Sequence, residues 1–293
     1  MSEAVNGVVT APDGLGPVSM IERVVEILSV FNGDEPLGLT QVVNRSGLPR
    51  SSVHRILEQL VAVKWLIRTG SDYQLGTVMV EFGQQALRQS QLYDAALPIL
   101  YALESVVHHV VHLAVLDVPD VVYLVKLGGR FAAGLPSQVG RRAPAHCTGV
   151  GKAMLAHADP AEVGAVLAGP LRANTRYSIT DPRVLEREFA QIRRQGVAYD
   201  REEAVIGVSC AAAPIRRHGA VVAAISITGP TRAIDLADAA IRAKVTAVQV
   251  SRALDQRDRD RERRAEPLPS PVGSWERGQL DAVVGWRNAH GLY

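Results

Sequence analysis

The sequence predicts an α+β protein of two folded units, and three observations carry that expectation. At 293 residues the chain is too long for a single average domain. The stretch following residue 17 reads as three helices and a short hairpin, with apolar residues recurring at helical spacing. Beyond about residue 110 the pattern switches to β-rich runs interspersed with helical segments, a mixed region of about 160 residues that is large enough for a core of its own.

Composition narrows the class. Hydrophobic residues at 47 % and charged residues at 21 % describe a globular rather than a disordered chain. The net charge of +2 says nothing about nucleic acid, so any basic patch has to be local. The two cysteines, Cys147 and Cys210, form no disulfide framework and fit a reducing compartment. No basic segment followed by an apolar run opens the chain, and runs such as Ala220–Ile227 fall far short of the ~20 residues a membrane helix needs. A cytoplasmic protein with no membrane partner is expected.

Taken in order, residues 1–17 are Gly/Pro-punctuated and aperiodic, the composition of a disordered arm. Ser19 and Glu22 have capping-box spacing for a helix that carries Ile21, Val24, Val25, Leu28 and Phe31 and ends at Asn32-Gly33. Thr40 is the expected N-cap of a second helix, burying Val42 and Val43 and closed by Gly47. Pro49 fits the first turn of a third helix whose Val53, Ile56, Leu57 and Leu60 form one buried stripe. Trp65–Thr69 and Tyr73–Leu75 read as two strands joined by a turn. Three helices followed by a hairpin is the order of a winged helix-turn-helix, here over residues 18–77.

A connecting helix is expected over 78–92 within a linker of 78–95, followed by a helix over 97–107 with Pro98 in its first turn. The second unit, residues 96–264, contains the strands Val110–Asp117, Val121–Leu127, Val208–Ile215 and Ala220–Gly229. Helical segments lie around Lys152 and Leu185. A last helix over about 235–264 shows Ala240, Val245, Val248, Val250 and Leu254 on its apolar side, and its charged end reads as solvated. Residues 265–293 form a tail without an assigned role, in which Trp275 and Trp286 could cover a subunit surface.

The third helix raises the functional question. Opposite its buried stripe lie Ser51, Arg55 and Glu58, flanked by Ser52, His54 and Gln59. Short hydroxyls with Arg and His near a helix start suit the DNA major groove, where Arg reads guanine and Gln reads adenine. Between Leu37 and Gly70 there are five basic residues and one acid, a local net charge of +4. Arg50 lies at the helix start, and Arg68 in the first wing strand is placed to reach phosphate or the minor groove. The competing reading is a solvated face of a protein-binding helical module.

The chain resembles the IclR family of bacterial transcriptional regulators. The matching stretches are "SGLPRSSVHRILEQLV" from Ser46, "YQLG" from Tyr73, "PAHCTGVGKAMLA" from Pro144, "GVAYDREEAVIGVSCAAAPI" from Gly196 and "AAISITGP" from Ala223. The resemblance implies a winged helix-turn-helix joined by a linker helix to a GAF-like effector-binding domain. It further implies a repressor or dual regulator that binds double-stranded operator DNA as a homodimer, commonly a dimer of dimers, and responds to a small organic, typically carboxylic, effector. No cofactor is implied. By position in these motifs, the effector-contacting residues are Gly149, Val150, Asp200, Cys210, Ser226 and Thr228. Their bland readings are a turn for Gly149, a buried hydrophobe for Cys210, a solvated loop for Asp200, and a solvent face for Ser226 and Thr228. Thr228 stands where relatives often have serine.

Two alternatives start from the same residues. Catalysis would use His146 and Cys147, but neighbours on a strand point to opposite faces. A metal-responsive regulator would use His108, His109 and His112 with His146 and Cys147, although that spacing clusters ligands only on a helix. Neither a catalytic nor a metal site is therefore expected.

Overall fold

A computed structural model describes residues 19–265 except Asp34 and Gly129. The expected arm and tail, with Trp275 and Trp286, lie outside the described residues. Helix α1 (Met20–Ser29) opens with the expected capping box: the Ser19 hydroxyl accepts from the Glu22 amide, and the Glu22 carboxylate accepts from the Ser19 amide. It contributes Ile27 to the core, while Ile21 and Val25 of the expected apolar side are exposed.

A short strand that sequence reasoning missed, β1 (Leu37–Gly38), leads directly into α2 (Leu39–Ser46). Thr40 is consequently not the N-cap. The Gln41 side chain accepts from the Gly38 amide at 2.8 Å, and the Thr40 hydroxyl accepts from Arg50. Gly47 closes α2 with φ +65°, a conformation that favours glycine. Helix α3 (Arg50–Ala62) follows Pro49 and buries Val53, Ile56, Leu57 and Leu60, the whole expected stripe. Strands β2 (Leu66–Thr69) and β3 (Asp72–Leu75) pair antiparallel, with β1 on the far side of β3. This small sheet and three helices enclose one apolar cluster.

Helix α4 (Thr77–Gln89) buries no residue, and it meets the wing through Trp65 and Phe82, whose rings pack edge to face at 5.9 Å. The expected helix over 78–92 stops at Ser90, whose hydroxyl accepts from the Tyr93 amide and starts α5 (Gln91–Val107). Pro98 therefore lies inside α5 and not in its first turn. Proline cannot donate to the carbonyl four residues back. That carbonyl, of Asp94, accepts from the Arg257 guanidinium instead, at 3.1 Å.

The second unit is built on a six-stranded antiparallel sheet in the order β6-β5-β4-β9-β8-β7. Its strands are β4 (Val110–Asp117), β5 (Asp120–Leu127), β6 (Arg142–Pro144), β7 (Ala198–Arg201), β8 (Val208–Arg217) and β9 (Ala220–Pro230). The expected four strands are the inner ones; β6 and β7 are too short and too polar to show a period. One face packs on α5 and on α10 (Leu236–Ala265). The other is covered by α7 (Gly149–Leu155) and α9 (Pro182–Gln195), with α6 (Arg130–Ala133) and α8 (Pro160–Ala168) at the margins. Alanines at 211–213, 223 and 224 let helices approach both faces. On α10 the buried stripe is Ala239, Ala240, Ala243, Ala247, Val250 and Leu254, whereas Val245 and Val248 point outward, contrary to expectation. Nor is the charged end of α10 wholly solvated: Asp258 is buried and grips Arg217 at the end of β8.

Candidate functional site

The first candidate surface is the outer side of α3. Because the helix spends Val53, Ile56, Leu57 and Leu60 on the core, Ser51, His54, Arg55 and Gln59 are exposed together, with Ser52 half-buried beside them. Arg50 stands at the helix start, tied to Thr40 at 3.3 Å. Arg68 reaches back from the wing: its Nη1 lies 3.2 Å from Glu58 Oε1, its Nε donates to the Gly70 carbonyl, and its guanidinium sits over the Tyr73 ring. Tyr73 Oη donates to the same Glu58 oxygen. The wing and α3 thus form one continuous surface, and Glu58 anchors Arg68 there.

The second candidate lies on the α7-covered face of the six-stranded sheet. Register explains why residues distant in sequence meet there. Asp200 pairs with Cys210 and Cys210 with Thr228, making one row across β7, β8 and β9. Ala212 pairs with Ser226, Ser226 with His112 and His112 with Lys126, making the adjacent row. A bulge at Leu113–Ala114 shifts the pairing so that Tyr123 joins Lys126 on this face. All six expected residues, Gly149, Val150, Asp200, Cys210, Ser226 and Thr228, are buried. Asp200 is not in a loop: it belongs to β7, and its Oδ1 accepts from the amides of Glu203 and Ala204.

Gly149 is the first residue of α7, capped by the Thr148 hydroxyl. A Cβ at Gly149 would stand 2.5 Å from Cys210 Sγ and 3.3 Å from the Ala212 Cβ, so only glycine lets α7 lie this close to β8. Ser226 Oγ and Thr228 Oγ1 lie 3.4 and 3.3 Å from His112 Nδ1, and His112 Nε2 lies 2.9 Å from Ser137 Oγ. Tyr123 rests against the His112 ring at 5.1 Å. Lys126 Nζ donates to the carbonyls of Leu135 and Ser137. Leu135, Ala132 and Val110 close the end of this face with an apolar cluster.

Burial governs the electrostatics. It holds His112 down at about 3, helped by the nearby Lys126 charge, so the imidazole is neutral. Burial and then the Glu203 charge push Asp200 up to about 7, against the two amides that favour its ionised form. Burial also raises Tyr123 and Cys210. Behind Asp200, Lys152 is fully buried, 2.5 Å from Glu203 Oε1 and 3.4 Å from Glu188 Oε1. The other Glu203 oxygen is buried without a hydrogen-bond partner, and burial raises that carboxyl in spite of Lys152.

The polar cluster is packed on itself. Two clefts of about 380 and 390 Å³ lie elsewhere, one along Leu116, Asp117, Met154 and Val221 and one between α8 and α9, and neither includes an expected effector residue. Sequence pattern alone does not single out His112, Tyr123, Lys126 or Ser137 as effector residues. His112 enters only the alternative metal reading, and Val110–Ala114 is buried on both sides, which erases the alternation that marks a pocket-facing strand.

The alternative chemistries find no geometry. His146 and Cys147 lie in a 3-10 turn rather than a strand; His146 Nε2 sits 3.0 Å from the Arg172 carbonyl, and burial pushes the Cys147 thiol up to about 12, away from a nucleophilic thiolate. Among the described residues, a group of three side chains close enough to share an ion is His218, Asp255 and Asp258, which includes none of the residues of the alternative metal reading. Both oxygens of that Asp258 already accept from Arg217.

Comparison with known proteins agrees with this two-part layout. Residues 20–70 match the IclR helix-turn-helix domain, and residues 84–252 match the bacterial transcriptional regulator IclR C-terminal domain. The chain is 31 % identical over 218 residues to the HTH-type transcriptional regulator KdgR of Escherichia coli, covering 73 % of this chain and 83 % of that protein. It is 30 % identical over 230 residues to the transcriptional repressor IclR of Escherichia coli, covering 76 % and 84 %. An IclR homolog from Microbacterium hydrocarbonoxydans, solved in complex with 4-hydroxybenzoate, superposes with a TM-score of 0.73 at 30 % identity, covering 81 % of this chain and all of that one. No helix among the described residues is long and apolar enough to cross a membrane. With an exposed polar face on α3, a second sheet-based unit and both family domains in order, this chain belongs to the IclR family of bacterial transcriptional regulators.

Proposed function

We propose that this regulator is a repressor of the cytoplasm whose hold on operator DNA is set by a small carboxylic acid bound in its second domain. The observation that carries the reading is the division of polar groups. On α3 they are exposed as a set, whereas on the sheet they are buried as a set. In this reading Arg55, Ser51, Ser52, His54 and Gln59 address base edges and phosphates, with Arg50 and Arg68 flanking them. The repressor sign is supported by the similarity to the transcriptional repressor IclR.

The acid class is supported by the 4-hydroxybenzoate held by the similar solved protein and by the donors available here. Ser226 and Thr228 offer hydroxyls, and Asp200, raised to about 7, can carry a proton toward an anion. Gly149 and Val150 would line the α7 side, and Cys210 the floor. Because Ser137 and Tyr123 already contact His112, the acid would replace those contacts. A homodimer, or a pair of dimers, suits the exposed apolar residues Val80 and Phe82 on α4 and Met20 and Ile21 on α1. Two recognition helices would then meet half-sites about 34 Å apart per DNA turn.

Fluorescence anisotropy against DNA enriched by the purified protein, at fixed salt, tests the first half. Arg55→Ala is expected to lower affinity roughly tenfold to a hundredfold with an unchanged melting temperature; undiminished binding overturns the assigned face. A thermal-shift panel of aromatic and aliphatic acids, 4-hydroxybenzoate included, tests the second half. Asp200→Ala with Cys210→Ala should abolish the response while operator binding survives, and a retained response moves the effector elsewhere.

A further inference from the structure

The two domains touch at a point away from the α4–α5 connection. Arg141 donates from Nη2 to the Asn32 carbonyl at 2.9 Å. Asn32 directly follows Phe31, which is part of the N-terminal core and whose amide is bonded to the Leu28 carbonyl at the end of α1. The other side of Arg141 leads straight to the polar cluster. Tyr123 donates its amide to the Arg141 carbonyl, and its own carbonyl accepts from the Gly140 amide at 2.8 Å. The Arg141 amide is held by the Gln138 carbonyl. Three residues earlier than Gln138, Leu135 accepts from Lys126, and Ser137 bonds to both Lys126 and His112.

One seven-residue stretch, 135–141, therefore has its first half fastened to the floor of the buried cluster and its last side chain fastened to the DNA-binding domain. We propose that this stretch is a transmission element and that Arg141 is the residue through which the state of the cluster reaches the recognition helix. The proposal rests on the reading that an effector occupies the His112–Thr228 cluster. A ligand that takes Ser137 from His112, or turns Tyr123, moves the backbone on both sides of Arg141 and draws its guanidinium away from Asn32. The winged domain is then free to reorient about Ser90, where the helices α4 and α5 part. A coupling needs such an element with two arrangements that both sites bias. Distance alone does not supply it.

A double-mutant cycle on operator affinity tests this in the full chain without any effector. Ser137→Ala removes the one side-chain bond between the stretch and His112, leaving the two carbonyls that Lys126 holds, and Arg141→Ala removes the DNA-side anchor; far-UV circular dichroism and melting confirm that each variant folds. Each single change is expected to weaken operator binding about fivefold, the effect of one partly solvated hydrogen bond. The double variant should be no weaker than either single one. Effects that multiply to about 25-fold mean independent sites and overturn the proposal, as does a single change that leaves affinity unaltered. Failure of the effector reading shows differently. In that case 4-hydroxybenzoate and the other acids leave melting and operator affinity alone, whatever the cycle reports. If the acids act equally on wild type and Arg141→Ala, the effector reading stands and the transmission role falls.

Discussion

The winged domain and the sheet domain each hold an ion pair between a basic side chain and a glutamate, under opposite conditions. Glu58 and Arg68 join α3 to the wing with nearly half of each side chain in water. Lys152 and Glu203 join α7 to the segment after β7 with essentially none. Water screens the first pair, which can open for a phosphate at little expense. The second pair has no solvent to fall back on, so its members fix one another and the backbone around Asp200. Under the proposed function, the surface assigned to a polyanion keeps its charges loose, while the compartment assigned to a small molecule keeps them locked.

Four substitutions would break or sharpen that contrast. Lys152→Met strands Glu203 and Glu188 and should lower unfolding free energy by about 3–5 kcal/mol. The loss should shrink in acid, where Glu203 takes up a proton; chemical denaturation at two pH values reads both. Gly149→Ala forces a methyl onto Cys210 Sγ and should destabilise by about 1–3 kcal/mol. Adding Cys210→Ala removes the colliding sulfur, and a double variant as unstable as Gly149→Ala would show that this clash is not the cause.

The third concerns pH. Asp200 is raised from 3.8 to about 7, so the folded chain binds the extra proton and this group makes stability fall as pH rises from about 4 to 7. His112 is lowered from 6.5 to about 3, so the unfolded chain binds the extra proton and stability rises with pH from about 3 to 6.5. The two slopes oppose each other between about pH 4 and 6.5. Asp200→Asn keeps the oxygen that accepts from Glu203 and Ala204 but deletes the falling part, so melting temperature should climb more steeply with pH over that window. An unchanged slope would remove Asp200 from the account. The smallest effect is expected from Arg68→Ala, below about 1 kcal/mol in stability because its pair is exposed. Operator affinity should drop more visibly, with a reduced dependence on salt.

How far the sequence revealed these regions differs for the same physical reason. In the winged domain, burial alternates with exposure every three or four residues, so Val53, Ile56, Leu57 and Leu60 announce both the core and the free face. Ser19 and Glu22 likewise announce a helix start from local chemistry alone. In the sheet domain, β4 and the middle of β8 are buried on both faces, and composition there cannot tell which side carries the cluster. Gly149, Val150, Asp200, Cys210, Ser226 and Thr228 were reached through resemblance, and the structure brings them to one face of the sheet. Tyr123 and Lys126 escaped notice because a bulge breaks the two-residue period between them. Pro98 misled for a different reason. Its local preference for a helix start is overridden by a donor to the Asp94 carbonyl that lies 163 residues from Asp94, which no short window contains.

Helix α10 runs thirteen residues past the stretch that matches the family profile, and those turns are structural hardware. Arg257 stands in for the hydrogen that Pro98 lacks, and Asp258 clasps Arg217 beside the β8–β9 turn. Anyone trimming this chain at residue 252 to obtain a minimal ligand-binding fragment would cut both fastenings, leaving α5 loose at its proline and the hairpin loose at its tip. A cut that spares Arg257 and Asp258 keeps both fastenings in place.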